Sequence, residues 1–437
     1  MAGGRVTLAA GPRVIVAGTV TPPGDKSISH RALFFAALAK GRSEIGGILT
    51  GADVKSTARV LRQLGADVAP VRPGSSVAVH VSRFTSPASR LHCGNSGTTT
   101  RLLLGILAGE GIRATLTGDA SLRRRPMRRV TDPLREMGAR IDESAAGTLP
   151  ATLRGGRLHD IAYRSPVASA QVKSALLLAG VTAGVPVTVA EPQPSRDHTE
   201  RMLGWLGEVI RAQGSGVSYE PSHNVIEGFA LDVPGDPSSA AFLVAAALLA
   251  ERGELLIRNV CVNPGRTGFL AVLARMGSRV DVTGERTAGA EPVADLVARP
   301  APLAGTTVPP EEVPALVDEI PILAVLASRA AGETLFRGAG ELRVKESDRL
   351  EMIARNLRAV GTDAEAVGDD LRVRGSDRPP RGRVDTAGDH RLAMAFGVLA
   401  TARGARVTLS ERKSVAVSYP GFFADLRRIG GASRRRD

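Results

Sequence analysis

Along the chain, a polar opening runs into an Ala/Leu-rich stretch that ends near glycine six times, at residues 29–41, 96–109, 169–180, 238–253, 319–332 and 389–404. Each of these predicted helices is followed by a β-branched or apolar stretch, read as a strand, and then by a second predicted helix at 56–64, 131–137, 199–206, 267–276, 347–360 and 418–429. Ser, Thr or a neighbouring polar residue opens each second helix and suits an N-cap, where a side-chain oxygen accepts an N–H that the helix leaves without a partner. Several second helices stop on glycine before a new strand, as in Leu64-Gly65-Ala66-Asp67-Val68, Met137-Gly138-Ala139-Arg140-Ile141 and Met276-Gly277-Ser278-Arg279-Val280. Glycine ends a helix in the left-handed conformation at no steric cost.

Successive copies lie roughly 70 residues apart, too long for a solenoid unit and too short for an ordinary independent domain. The pattern therefore predicts an α/β fold of six βαβαββ subdomains, packed as two groups of three. Pro23-Gly24-Asp25-Lys26-Ser27 recurs in altered form as Pro234-Gly235-Asp236-Pro237-Ser238, each just before a first helix. With the opening strand at 14–19 assigned to the second group, the chain crosses between bodies near 20–24 and 232–236. The expected division is a discontinuous domain, 1–22 plus 235–437, and an inserted domain, 23–234, with Gly and Pro hinges between them.

Composition narrows the function classes. The 437 residues hold 57 Lys+Arg against 44 Asp+Glu, a net charge of +13, with 43% hydrophobic residues, which is a globular balance rather than a disordered one. The apolar stretches 240–250 and 175–190 are too short for a bilayer or broken by Gly180, Gly184 and Pro186. Cys93 and Cys261 cannot form a dense disulfide framework, and neither sits in metal-type Cys/His spacing, so a reducing cytoplasm is the expected compartment and no metal is expected. The positive charge fits nucleic acid, an anionic membrane or small polyanionic substrates. Only six of the 57 cations are lysines, and Lys26, Lys173 and Lys345 each lie in a polar cluster at a helix head. Lysine offers a compact charge whose pKa moves on burial, which arginine does not.

The polar helix heads hold the candidate chemistry. Asp25-Lys26-Ser27-Ile28-Ser29-His30-Arg31 reads as an anion seat, because helix N–H groups and two cations favour phosphate or carboxylate. Gly94-Asn95-Ser96-Gly97-Thr98-Thr99-Thr100-Arg101 sets small residues before a helix but lacks the Walker lysine and the GxGxxG spacing, which argues against ATP and NAD. The 121–129 loop holds five arginines without aromatic interleaving, so base stacking has no support there. Ser169-Ala170-Gln171-Val172-Lys173 and Ser195-Arg196-Asp197-His198-Thr199 offer groups for sugar-like hydroxyls. Val317-Asp318-Glu319-Ile320-Pro321, Arg343-Val344-Lys345-Glu346-Ser347-Asp348-Arg349 and Asp389-His390-Arg391 place acids among cations.

In the order and approximate spacing of these segments, together with Arg125-Pro126, the chain resembles the 5-enolpyruvylshikimate-3-phosphate synthase (3-phosphoshikimate 1-carboxyvinyltransferase) family over nearly its whole length. The resemblance implies two similar domains, each of three βαβαββ repeats, closing over a cleft. It implies transfer of the enolpyruvyl group of phosphoenolpyruvate to the 5-hydroxyl of 3-phosphoshikimate, with release of phosphate through a tetrahedral intermediate, in aromatic amino acid biosynthesis. By motif position it assigns 3-phosphoshikimate to Lys26, Ser27, Arg31, Ser169, Gln171, Arg196, Asp318 and Lys345. It assigns phosphoenolpyruvate to Lys26, Gly97, Arg125, Gln171, Arg349 and Arg391. Asp318 is the candidate base for the 5-hydroxyl, Glu346 the candidate proton donor to carbon and later acceptor, and Lys26 a catalytic cation. No cofactor, nucleic acid or membrane is implied, and the expected state is a cytoplasmic monomer.

The chain departs from one branch of that family at Val417, where the branch has lysine, at Ala170 and Arg196, where it has serine and tyrosine, and at Leu102, where it has proline. Gly97 leaves room beside phosphoenolpyruvate for an analogue such as glyphosate. Two alternatives stand against this reading. UDP-N-acetylglucosamine enolpyruvyl transferases resemble the family but typically carry a reactive cysteine in the mobile loop, and the matching 119–127 loop here has none. A basic RNA-binding protein would use 123–129 and the tail Arg434-Arg435-Arg436, and would lose affinity steeply with salt.

Overall fold

The computed structural model describes residues 14–81, 84, 90–222 and 225–430, and the backbone of 6–9; the Arg434-Arg435-Arg436 tail lies outside the described residues. The helices are α1 (Lys26–Leu38), α2 (Ala52–Gln63), α3 (Gly97–Gly109), α4 (Arg128–Glu136), α5 (Ala170–Ala183), α6 (His198–Trp205), α7 (Pro237–Leu248), α8 (Gly268–Arg275), α9 (Ile320–Ala327), α10 (Arg349–Ala359), α11 (His390–Leu399) and α12 (Phe422–Ile429). The chain divides into an inserted unit, Gly24–Pro234 with Thr287–Glu291, and a discontinuous unit, Met1–Pro23 with Gly235–Arg286 and Pro292–Asp437. The sequence pattern does not announce the five residues Thr287–Glu291, which it leaves in the discontinuous part; they form the turn of a long hairpin, and their contacts are with the inserted unit.

In the inserted unit, strand Arg90–His92 runs parallel to Ala114–Thr117, with Arg90 opposite Thr115. The latter pairs antiparallel with Ala151–Leu153, which pairs antiparallel with Ile141–Glu143. With α3 and α4 between the strands, this is one βαβαββ copy. Ile161–Arg164, Val187–Ala190, Val209–Gln213 and Gly216–Glu220 repeat the same order around α5 and α6. The copy built on α1 and α2 takes its first strand, Ala230–Asp232, from the far end of the unit, where it runs parallel to Gly41–Gly46.

The discontinuous unit is built likewise. Its first copy borrows Gly18–Val20 from before the insertion, parallel to Leu255–Cys261. Its last copy shows three strands among the described residues: Arg381–Val384 lies parallel to Arg406–Leu409, and Val6–Ala9 from the chain start pairs antiparallel with Arg406–Leu409.

The two helix types differ because their surroundings differ. In α7, α9 and α11 every residue is buried, so these helices carry no amphipathic stripe. Phe242 of α7 meets Phe422 of α12 edge-on at 6.0 Å in that core. In the inserted unit α3 and α5 pack so closely that a Cβ on Gly105 would stand 2.0 Å from the Ala175 carbonyl oxygen. By contrast α2 buries Val54, Ala58 and Leu61 and exposes Lys55, Arg59 and Arg62. A helix sunk in the core can be polar only at its ends, and its start is where its free N–H groups lie. No helix among the described residues is long and apolar enough to cross a membrane.

Candidate active site

In the inserted unit the relevant side chains stand at the starts of α1, α3 and α5. Helix α1 begins three residues before the Ser29 expected from the sequence. Asp25 accepts the Ile28 N–H at 2.7 Å and is the cap, so Lys26 and Ser27 form the first turn. Asp equals Ser as a capping group, and Ser29 is occupied instead in accepting the Leu49 N–H at 3.0 Å. The Lys26 ammonium, one-fifth exposed, pairs with Asp53 at 2.9 Å. Arg31 is buried, with Nε donating to Thr199 Oγ1 at 2.7 Å and the other nitrogens to Ser174 Oγ and the Ser27 carbonyl. Burial pushes its pKa down to about 10. Half-buried Arg196 adds a like charge beside it.

Around the start of α3, Gly97 sits where a Cβ would lie 2.9 Å from Arg101 Nη1 and 3.5 Å from Arg125 Nη1. Arg101 donates to Gln171 Oε1 at 2.6 Å and to the Pro126 carbonyl at 3.1 Å, while Gln171 Nε2 donates to Thr98 Oγ1 at 3.0 Å. Arg125 donates to Asn95 Oδ1 at 2.6 Å, and Asn95 in turn to Asp119 at 2.6 Å. The structure thus gathers the candidates Gly97, Arg125 and Gln171 with Asn95, Thr98 and Arg101, which the 94–101 segment contains but motif position assigns to neither substrate, and with Asp119. Arg101 had a signal, since it lies one helical turn after Gly97 on the same face. The Asn95–Asp119 bond, 24 residues apart, had none.

A buried line of hydroxyls joins α1 and α2 to the start of α3. His30 Nδ1 pairs with Thr57 Oγ1, Thr57 with Thr99 Oγ1, and Thr99 with Ser96 Oγ, each at 2.7 Å. Ser96 also caps α3 through the Thr99 N–H. Burial, reinforced by Lys26 and Arg31, holds the His30 pKa well below its ordinary value, so the imidazole is neutral at pH 7.

In the discontinuous unit one guanidinium organises the site. Arg349, 1% exposed, donates through Nε to Asp389 Oδ2 at 2.8 Å, through Nη2 to Glu346 Oε2, and through Nη1 to Asp318 Oδ1 at 3.4 Å. Burial alone would lower its pKa, but Asp389, Glu346 and Asp318 outweigh burial and raise it. The Asp389 carboxyl is pushed up by burial and pulled further down by Arg349, for a net shift downward. It also caps α11 through the Arg391 N–H at 2.9 Å. Arg391 reaches the Asp318 carbonyl at 2.9 Å and the Asp318 carboxylate at 3.6 Å. Lys345, half-buried, has its pKa lowered by desolvation, an effect that Asp318 and Glu341 offset only in part. Asp318, Glu346, Arg349 and Arg391 therefore belong to one network, with Lys345 in its field. Asp348, not the expected Ser347, caps α10, and Ser347 donates to Asp389.

Three further residues have defined places: Lys173 and Cys93, raised by the sequence, and Lys413, four residues before Val417. Lys173 points into the fold rather than to solvent, paired with Glu191 at 2.9 Å and Glu200 at 2.8 Å. Lys413 is exposed in the short turn Lys413–Val417. Cys93 is buried, and desolvation pushes its thiol up to about 11, which leaves it unreactive near neutrality.

The doubled three-copy architecture defines a class. An enolpyruvyl transferase from Streptomyces tendae superposes on 98% of this chain and 98% of its own with a TM-score of 0.76 at 21% identity, a likeness of fold: this is the two-domain enolpyruvyl transferase fold. An EPSP synthase from Acinetobacter baumannii superposes with a TM-score of 0.86 at 38% identity over 97% of this chain and 98% of its own. A 3-phosphoshikimate 1-carboxyvinyltransferase from Alkalilimnicola ehrlichii is 47% identical over 425 residues, 96% of this chain and 95% of its own. The model of the family EPSP synthase (3-phosphoshikimate 1-carboxyvinyltransferase) matches residues 12–426, and the chain belongs to that family.

Proposed function

We propose that the helix-start residues of the two units are the substrate-binding and catalytic groups of a 3-phosphoshikimate 1-carboxyvinyltransferase, the activity of the family. The reaction joins two polyanions. A proton is added to the methylene carbon of phosphoenolpyruvate, the 5-hydroxyl of 3-phosphoshikimate bonds to the neighbouring carbon and loses its proton, and the tetrahedral adduct then loses a carbon-bound proton and phosphate. Fixed cations in a partly dehydrated setting offset the mutual repulsion of the substrates.

The observation that carries this reading is the pair of guanidiniums, Arg101 and Arg125, held beside Gly97 at a helix start. Arginine forks and helix N–H groups match the carboxylate and phosphate of phosphoenolpyruvate, and the missing Cβ lets a ligand approach the backbone. In this reading Lys26, Gly97, Arg125, Gln171, Arg349 and Arg391 hold phosphoenolpyruvate. Lys26, Ser27, Arg31, Ser169, Gln171, Arg196, Asp318 and Lys345 hold 3-phosphoshikimate. Arg31 gives its donors to Ser174, Thr199 and the Ser27 carbonyl, so it supports Ser27 as well as adding charge. Asp318 takes the hydroxyl proton and Glu346 serves the carbon, while Arg349, bonded to both, fixes their separation. The protein acts as a cytoplasmic monomer in this proposal.

The test is phosphate release measured with both substrates and with each omitted. Release only with both is expected. Release from phosphoenolpyruvate alone, or none with both present, would overturn the reading.

A further inference from the structure

Outside the residues that the motifs mark as substrate contacts, the inserted unit buries a charged cluster at the base of α5. Glu191 has a fully buried side chain, Lys173 is 5% exposed and Glu200 10% exposed. The Lys173 ammonium bridges the two carboxylates at 2.9 and 2.8 Å and reaches the Ser195 carbonyl at 3.4 Å. Glu191 does more than balance that charge. Its Oε1 accepts the Ser169 backbone N–H at 2.6 Å, and its Oε2 accepts the Ser195 hydroxyl at 2.7 Å.

Ser169 is the capping residue of α5, whose first turn holds Gln171, and Ser195 directly precedes Arg196. One carboxylate thus fixes two segments that meet nowhere in sequence, each bearing proposed 3-phosphoshikimate contacts. A simple helix cap needs neither a buried lysine nor a second carboxylate. Burying charge is costly unless it is held by well-placed partners; Glu191 finds its partners on the two segments and on Lys173, while Glu200 is held through Lys173. Burial lowers the Lys173 pKa, but Glu200 and Glu191 outweigh it and the net shift is upward, which keeps the ammonium charged; the Glu200 carboxyl is pushed up by burial, which Lys173 offsets only in part.

We propose that Glu191, braced by Lys173 and Glu200, is a positioning residue for 3-phosphoshikimate. It sets the distance between the Ser169–Gln171 helix start and the Ser195–Arg196 segment, and so selects for the phosphorylated ring substrate. The inference rests on the reaction proposed above, and it predicts a split between the two substrates that a general loss of fold would not produce.

The test is steady-state kinetics of Glu191→Gln and Ser195→Ala beside wild type, with thermal unfolding of each and calorimetric titration of each with 3-phosphoshikimate. Glu191→Gln removes the charge at nearly constant shape; Ser195→Ala removes one hydroxyl donor and keeps the protein folded should the first variant fail. The KM for 3-phosphoshikimate is expected to rise about tenfold in each variant, the size expected at the lower end for a lost hydrogen bond to a charged group. The KM for phosphoenolpyruvate and kcat stay within about twofold, since each twofold is only about 0.4 kcal/mol. An unchanged KM for 3-phosphoshikimate in the folded variants, or equal changes for both substrates, would overturn the inference. If wild type showed no turnover, the assigned reaction would fail, and the calorimetric affinities of wild type and variants for 3-phosphoshikimate would still decide the positioning role.

Discussion

Replacing Gly97 with alanine separates folding from binding at a single atom. The backbone there is helical and not left-handed, so alanine introduces no conformational strain. The added Cβ would stand 2.9 Å from Arg101 Nη1, closer than carbon tolerates, and 3.5 Å from Arg125 Nη1, an ordinary contact. The crowded atom is the far end of a long side chain, so Arg101 moves and the backbone does not. Stability should be unchanged or slightly higher, because alanine is favoured over glycine within helices by up to about 1 kcal/mol. The displaced guanidinium gives up its 2.6 Å bond to Gln171 Oε1. Solvent can satisfy the half-buried guanidinium, so the fold loses little. Out of place, the guanidinium no longer reaches phosphoenolpyruvate, and a hydrogen bond to a charged group is worth about 1.5–3 kcal/mol, about ten- to a hundredfold in affinity. The KM for phosphoenolpyruvate, measured by phosphate release at saturating 3-phosphoshikimate, should rise within that range while the melting temperature holds. A KM within about twofold of wild type, under 0.5 kcal/mol, would refute the argument. A melting temperature lower by about 5 °C or more would show that the backbone had yielded instead.

Asp318→Asn and Glu346→Gln should each lower kcat about a hundredfold or more, the usual contribution of a positioned acid or base; wild-type kcat with unchanged binding in single-turnover assays would remove both from the mechanism. Arg349→Met leaves the fully buried Asp389 carboxylate without its counter-ion and should cost about 3–5 kcal/mol in urea unfolding. Because the Asp389 pKa is lower folded than unfolded, its contribution to stability is complete above the unfolded value of about 3.9 and is lost as pH falls through the folded one. Unfolding monitored from pH 5 downward should show that acid limb in wild type and lack it in Asp389→Asn. Lys345 has a folded pKa below that of a free lysine, so the fold favours the neutral amine and the charge is lost at lower pH than usual. The alkaline limb of kcat/KM should therefore lie below about 10.4 and move upward in Lys345→Arg; an unmoved limb would free Lys345 of that role. Glyphosate at millimolar concentration should slow phosphate release in competition with phosphoenolpyruvate, and an unaffected rate would contradict the space assigned beside Gly97.

What could be read from the sequence was whatever the fold keeps local. Helices buried on every side, such as α7, α9 and α11, have only their starts to offer to solvent or ligand, so their polar residues collect in short runs such as Asp389-His390-Arg391. Six such runs at a regular interval give both the repeat and most of the candidate site. The boundaries shifted where two capping groups competed, as when Asp25 took α1 from Ser29 and Asp348 took α10 from Ser347. The closing strand of the last copy, Val6–Ala9, was not legible because it comes from the other end of the chain. Long-range pairing of polar groups was the least legible feature. Arg349 and Asp389 lie 40 residues apart, Arg101 and Gln171 lie 70 apart, and in each case the sequence shows only one more cation and one more polar group. Motif position marks Arg349 as a ligand contact; its near-complete burial makes it first the brace that holds Asp318, Glu346 and Asp389 at fixed separation. A residue in that position affects a reaction through the geometry of its neighbours, so its replacement should disturb kcat and folding together, whereas loss of a pure ligand contact disturbs KM alone.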